Sequence, residues 1–501
     1  MSAEQSVAEP RNLAELVSRA AARHPDKAAL VAGGRTVSWG ELDALVSALA
    51  SSLVARGLPA GSRVGLLLPN SIEFAVAYFG VLRAGLVALP LNTAYTATEL
   101  GYQLSDSGAS LVFASGPFAE LVSSVEVVVT GSEAWESLLA SSSSGGAASG
   151  GAARAGAEDT AVLLYTSGTS GRPKGAMLTH RALLANLAQL SRIEPAVIAP
   201  DDRVLLVLPL FHVYGLNSGL GMTAYVGATG VLAERFDPVE TLALVESANV
   251  SNIVGAPPMY VAWSMLPRLS ESLASLRLAV SGAAPLPAAV LGSILEGSGH
   301  HVFEGYGLTE TAPVLTTTLC SEVAKPGSIG RPIPSVELRL LDDNGEEVDE
   351  GDPGEIVVRG ANLFSGYWPD GAGGPDNDGW FRTGDVAVAD EDGDLYLVDR
   401  VRELILVSGF NVYPREVEDA IAGHADVDEV AVIGIPHPYT GETVKAFVVP
   451  RAGSAPTADD VIEYAARRLA RFKCPTAVEI VSELPHSAIG KVAKGRLRET
   501  A

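Results

Sequence analysis

Residues 165–175 read Tyr-Thr-Ser-Gly-Thr-Ser-Gly-Arg-Pro-Lys-Gly, with three glycines, four Ser or Thr and one lysine in eleven positions. That mixture suits a polyphosphate. Gly168 and Gly171 let backbone N–H groups approach, the hydroxyls of Thr166, Ser167, Thr169 and Ser170 donate to oxygens, and Lys174 neutralises charge. The loop is not a Walker A motif. Counted from Gly168, that motif needs Gly at 173 and Ser or Thr at 175, where this chain has Pro173 and Gly175. On composition alone, a Ser/Gly run reads more often as a flexible linker. The position of this one, between the apolar run 161–164 and a helical pattern after Thr179, favours phosphate binding.

Other segments carry groups of matching chemistry. Thr309 offers a hydroxyl to a phosphate, and Glu310 a carboxylate for Mg²⁺, a hard cation that favours oxygen ligands. A lone Glu is equally an ordinary loop acid. Tyr306 either stacks on adenine or sits in the core. Asp385, after Gly384, suits two ribose hydroxyls, or is a turn aspartate. His212 lies among apolar residues in Pro-Leu-Phe-His-Val-Tyr-Gly (209–215), where a histidine is usually a satisfied core residue. Lys491, close to the C-terminus, would ordinarily be a solvated surface residue.

Taken in order, these segments resemble the adenylate-forming superfamily. That superfamily includes acyl- and aryl-CoA synthetases, peptide-synthetase adenylation domains and firefly-type luciferases. The matching motifs are 165–175, Gly-Tyr-Gly-Leu-Thr-Glu (305–310), Gly-Trp-Phe-Arg-Thr-Gly-Asp (379–385), the stretch 396–418 around Asp399 and Arg400, and Gly490-Lys491. They span nearly the whole chain, and the acyl-CoA synthetase branch fits best.

The resemblance implies a set of roles. ATP or AMP would be held by residues 166–171 and Lys174, by Gly282, Ala283 and Ala284, by Glu304, Gly305, Tyr306, Gly307 and Thr309, and by Asp385, Arg400 and Lys491. Glu310 would bind the metal, and His212 would line the acyl pocket near the carboxylate. Lys491 would be the catalytic lysine of adenylation, offsetting repulsion between two anions. Ser408, Gly409 and Phe410 would line the pantetheine tunnel, with Gly409 allowing close approach of the thiol arm. Two residues depart from the pattern. Arg402 stands at the pivot where many relatives carry Lys or Asp, and keeps a cation for a working hinge. Phe410 stands where Gly or Tyr is frequent, and would reshape the tunnel.

The elements that must position these groups alternate helix and strand signals over the first third. Ser38 with Glu41, and Thr96 with Glu99, read as capping boxes. Strands are expected at 64–68, 86–89 and 111–114, with a helix at 71–83, which implies crossover units on a mostly parallel sheet. A Ser/Gly/Ala stretch at 140–157 has nothing to bury and reads as a surface loop. A strand at 277–280 and a helix at 287–296 follow. From Glu337 shorter strands and acidic turns suggest antiparallel β structure. After Arg400 comes a compact α+β pattern: strands at 404–407, 429–435, 445–449 and 478–481, and helices at 414–422 and 457–471. The expected fold is therefore α/β: a large N-terminal domain of several subdomains over 1–400, with a small mobile α+β domain over 401–501. No internal repeat is visible.

Composition bounds the partners. Of 501 residues 47% are apolar, enough for a large core. Lys and Arg number 35 against 59 Asp and Glu, a net charge of −24. Such a field repels nucleic acid and anionic membranes, but not a small anion held in a local basic pocket. Cys320 and Cys474 are too far apart in sequence for a disulfide framework and too few for a zinc site. The N-terminus lacks a signal-peptide pattern, and no apolar run reaches the ~18 residues of a membrane span. A cytoplasmic location is expected, and a homodimer is left open.

The first expected function is an acid–thiol ligase. It would convert a carboxylic acid, ATP and Mg²⁺ to acyl-AMP and then transfer the acyl group to coenzyme A. No Arg stands in 211–214 or 281–284 to pair with a second carboxylate, so diacids rank low. Medium- or long-chain fatty acids rank first, and hydroxycinnamate-like or benzoate-like aryl acids second. Acyl-AMP transfer to a separate carrier protein, a luciferase-like oxygenase and a non-catalytic nucleotide-binding protein are the other classes; Lys174 and Lys491 together argue against the last.

Overall fold

The computed structural model describes residues 9–140, 155–166, 173–342, 344–400, 405–407, 410–412, 414–437, 441–469, 471–486 and 492–500, with Arg400 and Phe410 described by their backbones. Two compact units divide the chain. One holds Met1–Glu337 and Arg359–Phe381, the other Leu338–Val358 and Arg382–Ala501. By compactness, therefore, the β segment before residue 400 groups with the C-terminal part, so the division differs from the expected one at 401. The antiparallel β structure expected from Glu337 does form there, as a four-stranded sheet.

The first unit contains two sheets rather than one. Nine strands run in the spatial order Arg331–Pro332, Val314–Thr317, Val302–Gly307, Leu278–Ser281, Asn252–Gly255, Arg203–Leu206, Thr229–Leu232, Ala28–Ala32 and Arg35–Ser38. Its inner pairs are parallel and the pairs at both edges antiparallel. Strand Leu278–Ser281 is buried along its whole length. Leu278 and Val280 join one hydrophobic core and Ala279 the other, as alternating side chains of a doubly covered strand must. The second sheet has the order Val127–Val129, Leu111–Ala114, Arg63–Leu67, Val87–Pro90, Thr160–Thr166, Lys174–Thr179, and only its last pair is antiparallel.

Both expected capping boxes form. Ser38 and Glu41 start helix Trp39–Ala55, and Thr96 and Glu99 start Ala97–Ser107. Thr179 caps His180–Leu190, the helix that follows the loop hairpin. In the second unit a four-stranded sheet ends in Trp380–Ala389 and Leu395–Arg400. A separate sheet is built on the long antiparallel pair Val427–His437 and Gly441–Pro450. Helix Pro414–Ala422 forms over the expected residues. The helix expected at 457–471 is shorter, Ala458–Ala466. Leu469 and Phe472 beyond it still pack on the core of this unit, which explains why the apolar period outlasts the helix. Among the described residues no helix is long and apolar enough to cross a membrane.

His180 makes one part of this packing sensitive to pH. The ring is fully buried, and its Nδ1 accepts a hydrogen bond from Leu13 N–H at 3.2 Å, which requires the unprotonated nitrogen. Burial holds its pKa down to about 4, from an ordinary 6.5. Between those values the unfolded chain binds a proton that the folded one refuses, so stability falls as the pH drops from about 6.5 to about 4. The loss is on the order of 3 kcal/mol. His180→Gln should flatten this part of the profile. Urea midpoints of both proteins at pH 7 and pH 4.5 test it, and equal losses on acidification would refute the assignment.

Candidate active site

The phosphate-loop candidate is the connection of a hairpin. Thr160–Thr166 and Lys174–Thr179 pair antiparallel, with Thr166 facing Lys174. The chain thus enters from a strand and returns to a strand, and the helix after Thr179 starts one strand later. Ser167, Gly168, Thr169, Ser170 and Gly171 lie outside the described residues; Thr166 and Lys174 flank them. The base of the hairpin is tied down by aromatic residues. Tyr102 O–H donates to Pro173 O at 3.1 Å, Tyr165 O–H to Asp106 Oδ2 at 2.5 Å, and Trp368 Nε1–H to Asp106 O at 3.0 Å. Burial, and then the Asp106 carboxylate, push the Tyr165 phenol well above its ordinary pKa, so it remains a donor.

The other edge of Lys174–Thr179 is covered by residues 365–368. Ser365 N–H donates to Met177 O at 3.1 Å, Met177 N–H to Gly366 O at 3.0 Å, and Trp368 N–H to Gly175 O at 2.7 Å. These bonds bring Tyr367 beside Lys174, whose Nζ lies 5.4 Å from the ring centroid, within cation–π range.

Glu310 sits on the short turn Thr309–Thr311 after strand Val302–Gly307. The turn is tightly fixed. A Cβ on Gly307 would stand 1.8 Å from Pro313 O, so only glycine fits there. Asn217 Nδ2–H donates to Ala312 O and Asn362 Nδ2–H to Thr311 O, both at 2.8 Å. Gln189 Nε2–H holds Asn362 Oδ1 at 3.1 Å. Glu310 O accepts Phe364 N–H at 2.9 Å, and Glu310 Oε1 accepts Tyr367 O–H at 2.7 Å. Lys174 and Glu310, predicted separately, thus meet on one phenol. The fixed carboxylate is a hard oxygen donor, and a Mg²⁺ site fits it. Thr309 and Tyr306 are half-buried beside it.

Glu304, expected in the nucleotide set, has its buried carboxylate engaged elsewhere: Oε1 accepts Leu286 N–H at 3.0 Å. It thereby supports the loop that contains Gly282, Ala283 and Ala284. Ala283 has φ 73°, a left-handed conformation that costs an alanine about 1 kcal/mol. Across from this loop the Tyr214 ring packs so closely that a Cβ on Gly282 would be 2.9 Å from it.

Tyr214 opens a π-helix, Tyr214–Gly221, of the kind often found at functional sites. His212 lies two residues before it, half-buried, its ring 4.8 Å from that of Phe211. Asn70 fixes this stretch by donating to Leu208 O and accepting Leu210 N–H, each at 2.9 Å. Between the π-helix and the ends of two inner strands the packing leaves only a crevice with no room for a water molecule. Its lining, Leu205, Leu206, Leu208, Gly215, Gly219 and Val254, is wholly apolar.

In the second unit Asp385 and Arg400 face each other in the register of two antiparallel strands. Asp385 is buried, and its N–H donates to Thr383 Oγ1 at 3.1 Å. Phe410 starts a strand whose first residue pairs with Val407. Ser408 and Gly409 fall between them and, with Arg402 and Lys491, lie outside the described residues. Sequence reasoning missed Tyr367, Tyr214, Asn217 and Asn362. The aromatic pair Tyr367-Trp368 after Gly366 was the one available signal, and it has no distinctive spacing.

Comparison with known proteins agrees with this arrangement. Residues 17–368 match the family model described as AMP-binding enzyme, and 416–491 that of the AMP-binding enzyme C-terminal domain. A long-chain-fatty-acid–CoA ligase from Bacillus subtilis is 34% identical, with 98% of this chain and 94% of that protein covered. A feruloyl-CoA synthase from an Amycolatopsis species is 38% identical over 96% and 97%. The crystal structure of ATP-bound MatB from Rhodopseudomonas palustris superposes with a TM-score of 0.88 at 36% identity, covering 98% of this chain and 99% of that one. With its motifs in order and nearly its whole length matched, this chain belongs to the AMP-binding enzymes, in the acyl-CoA synthetase branch of the adenylate-forming superfamily.

Proposed function

We propose that the protein joins a medium- or long-chain fatty acid to coenzyme A with conversion of ATP to AMP and pyrophosphate. The observation that supports the acyl assignment is in the sequence: segments 211–214 and 281–284 hold no Arg or Lys to pair with a second carboxylate. Apolar and small residues in these segments favour an alkyl chain, stabilised by about 0.8 kcal/mol per buried methylene. Aryl acids form the second reading, supported by the 38% identity to a feruloyl-CoA synthase.

In this reading the acid carboxylate attacks the α-phosphorus and pyrophosphate leaves; the coenzyme A sulfur then attacks the acyl carbonyl and AMP leaves. Lys174 and the hydroxyls of the hairpin loop hold the β- and γ-phosphates. Glu310 is the residue to hold Mg²⁺, which neutralises phosphate charge when bound. The strained 282–284 loop aligns the adenine and the acid carboxylate, with His212 beside the latter and Tyr306 against the base. Asp385 and Arg400 take the ribose hydroxyls. Lys491 bridges carboxylate and ATP in adenylation, and residues 408–410 guide the thiol. Arg402 is the hinge of a mobile part beginning at 401. Cys320 and Cys474 are free thiols, which suits the proposed cytoplasmic location.

AMP release with coenzyme A over a panel of fatty and aryl acids tests the acyl assignment. Release of AMP from aryl acids alone would shift the assignment to the second reading.

Lys174→Ala should slow adenylation by ~10- to 1000-fold, comparable to removing one positioned electrostatic group. Thioester formation from preformed acyl-AMP should suffer less. Unchanged ATP-dependent turnover would return the loop to the linker reading.

The two half-reactions should also separate in the C-terminal part. Lys491→Ala is expected to abolish acid-dependent ATP–pyrophosphate exchange yet still convert added acyl-AMP and coenzyme A to thioester. Gly409→Leu should do the reverse, because its side chain fills the thiol path. Equal loss of both partial reactions in the two folded variants would argue against alternating use of one active site.

A further inference from the structure

We propose that Tyr367 is a positioning residue of the adenylation step, holding the Glu310 carboxylate for the metal and keeping the Lys174 ammonium apart from it. The inference rests on the reading of Glu310 as the metal-binding residue.

Glu310 is gripped twice by one short segment. Its backbone carbonyl accepts Phe364 N–H at 2.9 Å, and its Oε1 accepts Tyr367 O–H at 2.7 Å. With one oxygen tied, the carboxylate stops rotating and presents Oε2 in a fixed direction, as hydrogen bonds behind a metal ligand do in general. Tyr367 is itself well fixed. Its N–H donates to Ala372 O at 3.0 Å, its O accepts Gly371 N–H at 2.8 Å, and its ring meets Phe364 edge-on at 5.1 Å. The same ring carries Lys174 Nζ at 5.4 Å from its centroid.

An exposed lysine and a carboxylate this near to one residue would tend to form a direct ion pair, and such a pair would occupy both groups. The phenol gives each a separate contact: the hydroxyl takes the anion, and the negative face of the ring takes the cation. Both charges then remain available to a bound anion and a bound cation.

The two contacts can be removed one at a time. Tyr367→Phe deletes the bond to Glu310 and keeps the ring; Tyr367→Leu deletes both. The probe is Mn²⁺ binding to the full-length protein with ATP, read as loss of the free Mn²⁺ electron-paramagnetic signal. ATP binding in EDTA is measured alongside by calorimetry, and thermal melting checks folding. Glu310→Ala is the control. Tyr367→Phe should weaken Mn²⁺ binding by ~10- to 100-fold. It should leave metal-free ATP binding within about two-fold, and excess Mn²⁺ should restore turnover. Tyr367→Leu should weaken metal-free ATP binding as well. If Glu310→Ala loses Mn²⁺ binding while folded Tyr367→Phe keeps it, the inference is overturned and the metal reading stands. Wild-type binding by Glu310→Ala would overturn the metal reading, and the inference with it.

Discussion

A carboxylate that must bond to a phosphate approaches it against Coulomb repulsion, and this chain adds a net charge of −24 to that problem. The positive charge needed at the reaction centre therefore cannot come from the general field of the protein. It has to be placed locally and kept from pairing with the many acids nearby. In the proposed function Lys174 would meet that requirement, through the strand that carries it. One edge of the strand is paired to Thr160–Thr166, the other to residues 365–368, and the lysine lies over an aromatic face.

The rest of the first unit reads as support for that arrangement. The nine-stranded sheet ends its inner strands at the 282–284 loop and at the Glu310 turn, the place where an open α/β sheet gathers its ligands. Buried polar side chains do the fine placement. Asn217 and Asn362 hold carbonyls of the Glu310 turn, Glu304 holds the amide of Leu286, and Asn70 holds the stretch before His212. Each of these replaces a hydrogen bond to water with one inside the core, so their net gain is in geometry more than in stability. Ala283 shows the opposite balance: its left-handed backbone is tolerated because the surrounding loop is held from both sides.

Much of this was legible before any coordinates. The capping boxes at Ser38 and Thr96, the apolar runs that became strands, and helix Pro414–Ala422 follow from local rules that act over a few residues. The motif residues were found by type and spacing, and Lys174 and Glu310 do converge. Tyr367 was not visible, because its role depends on pairing between strands nearly two hundred residues apart in sequence, and nothing in Gly-Tyr-Trp announces that. The division at 401 was drawn where the α+β pattern begins, whereas compactness groups the β segment before it with the C-terminal part. Glu304 is a third case. Its neighbours in the motif suggested a nucleotide contact; the bond from Leu286 N–H to its carboxylate, which links strand Val302–Gly307 to the 282–284 loop, had no signal in the sequence.

The π-helix Tyr214–Gly221 has a consequence for how such an enzyme changes over evolutionary time. A π turn holds one more residue than the α turn it replaces. Deleting a single codon within 215–221 would therefore let the segment relax to an ordinary helix, with Met222–Val226 continuing from it. Residues other than Gly215 and Gly219 would then face the ends of the inner strands, while Tyr367 would keep its place. A one-residue indel would thus repack this end of the nine-stranded sheet in a single step.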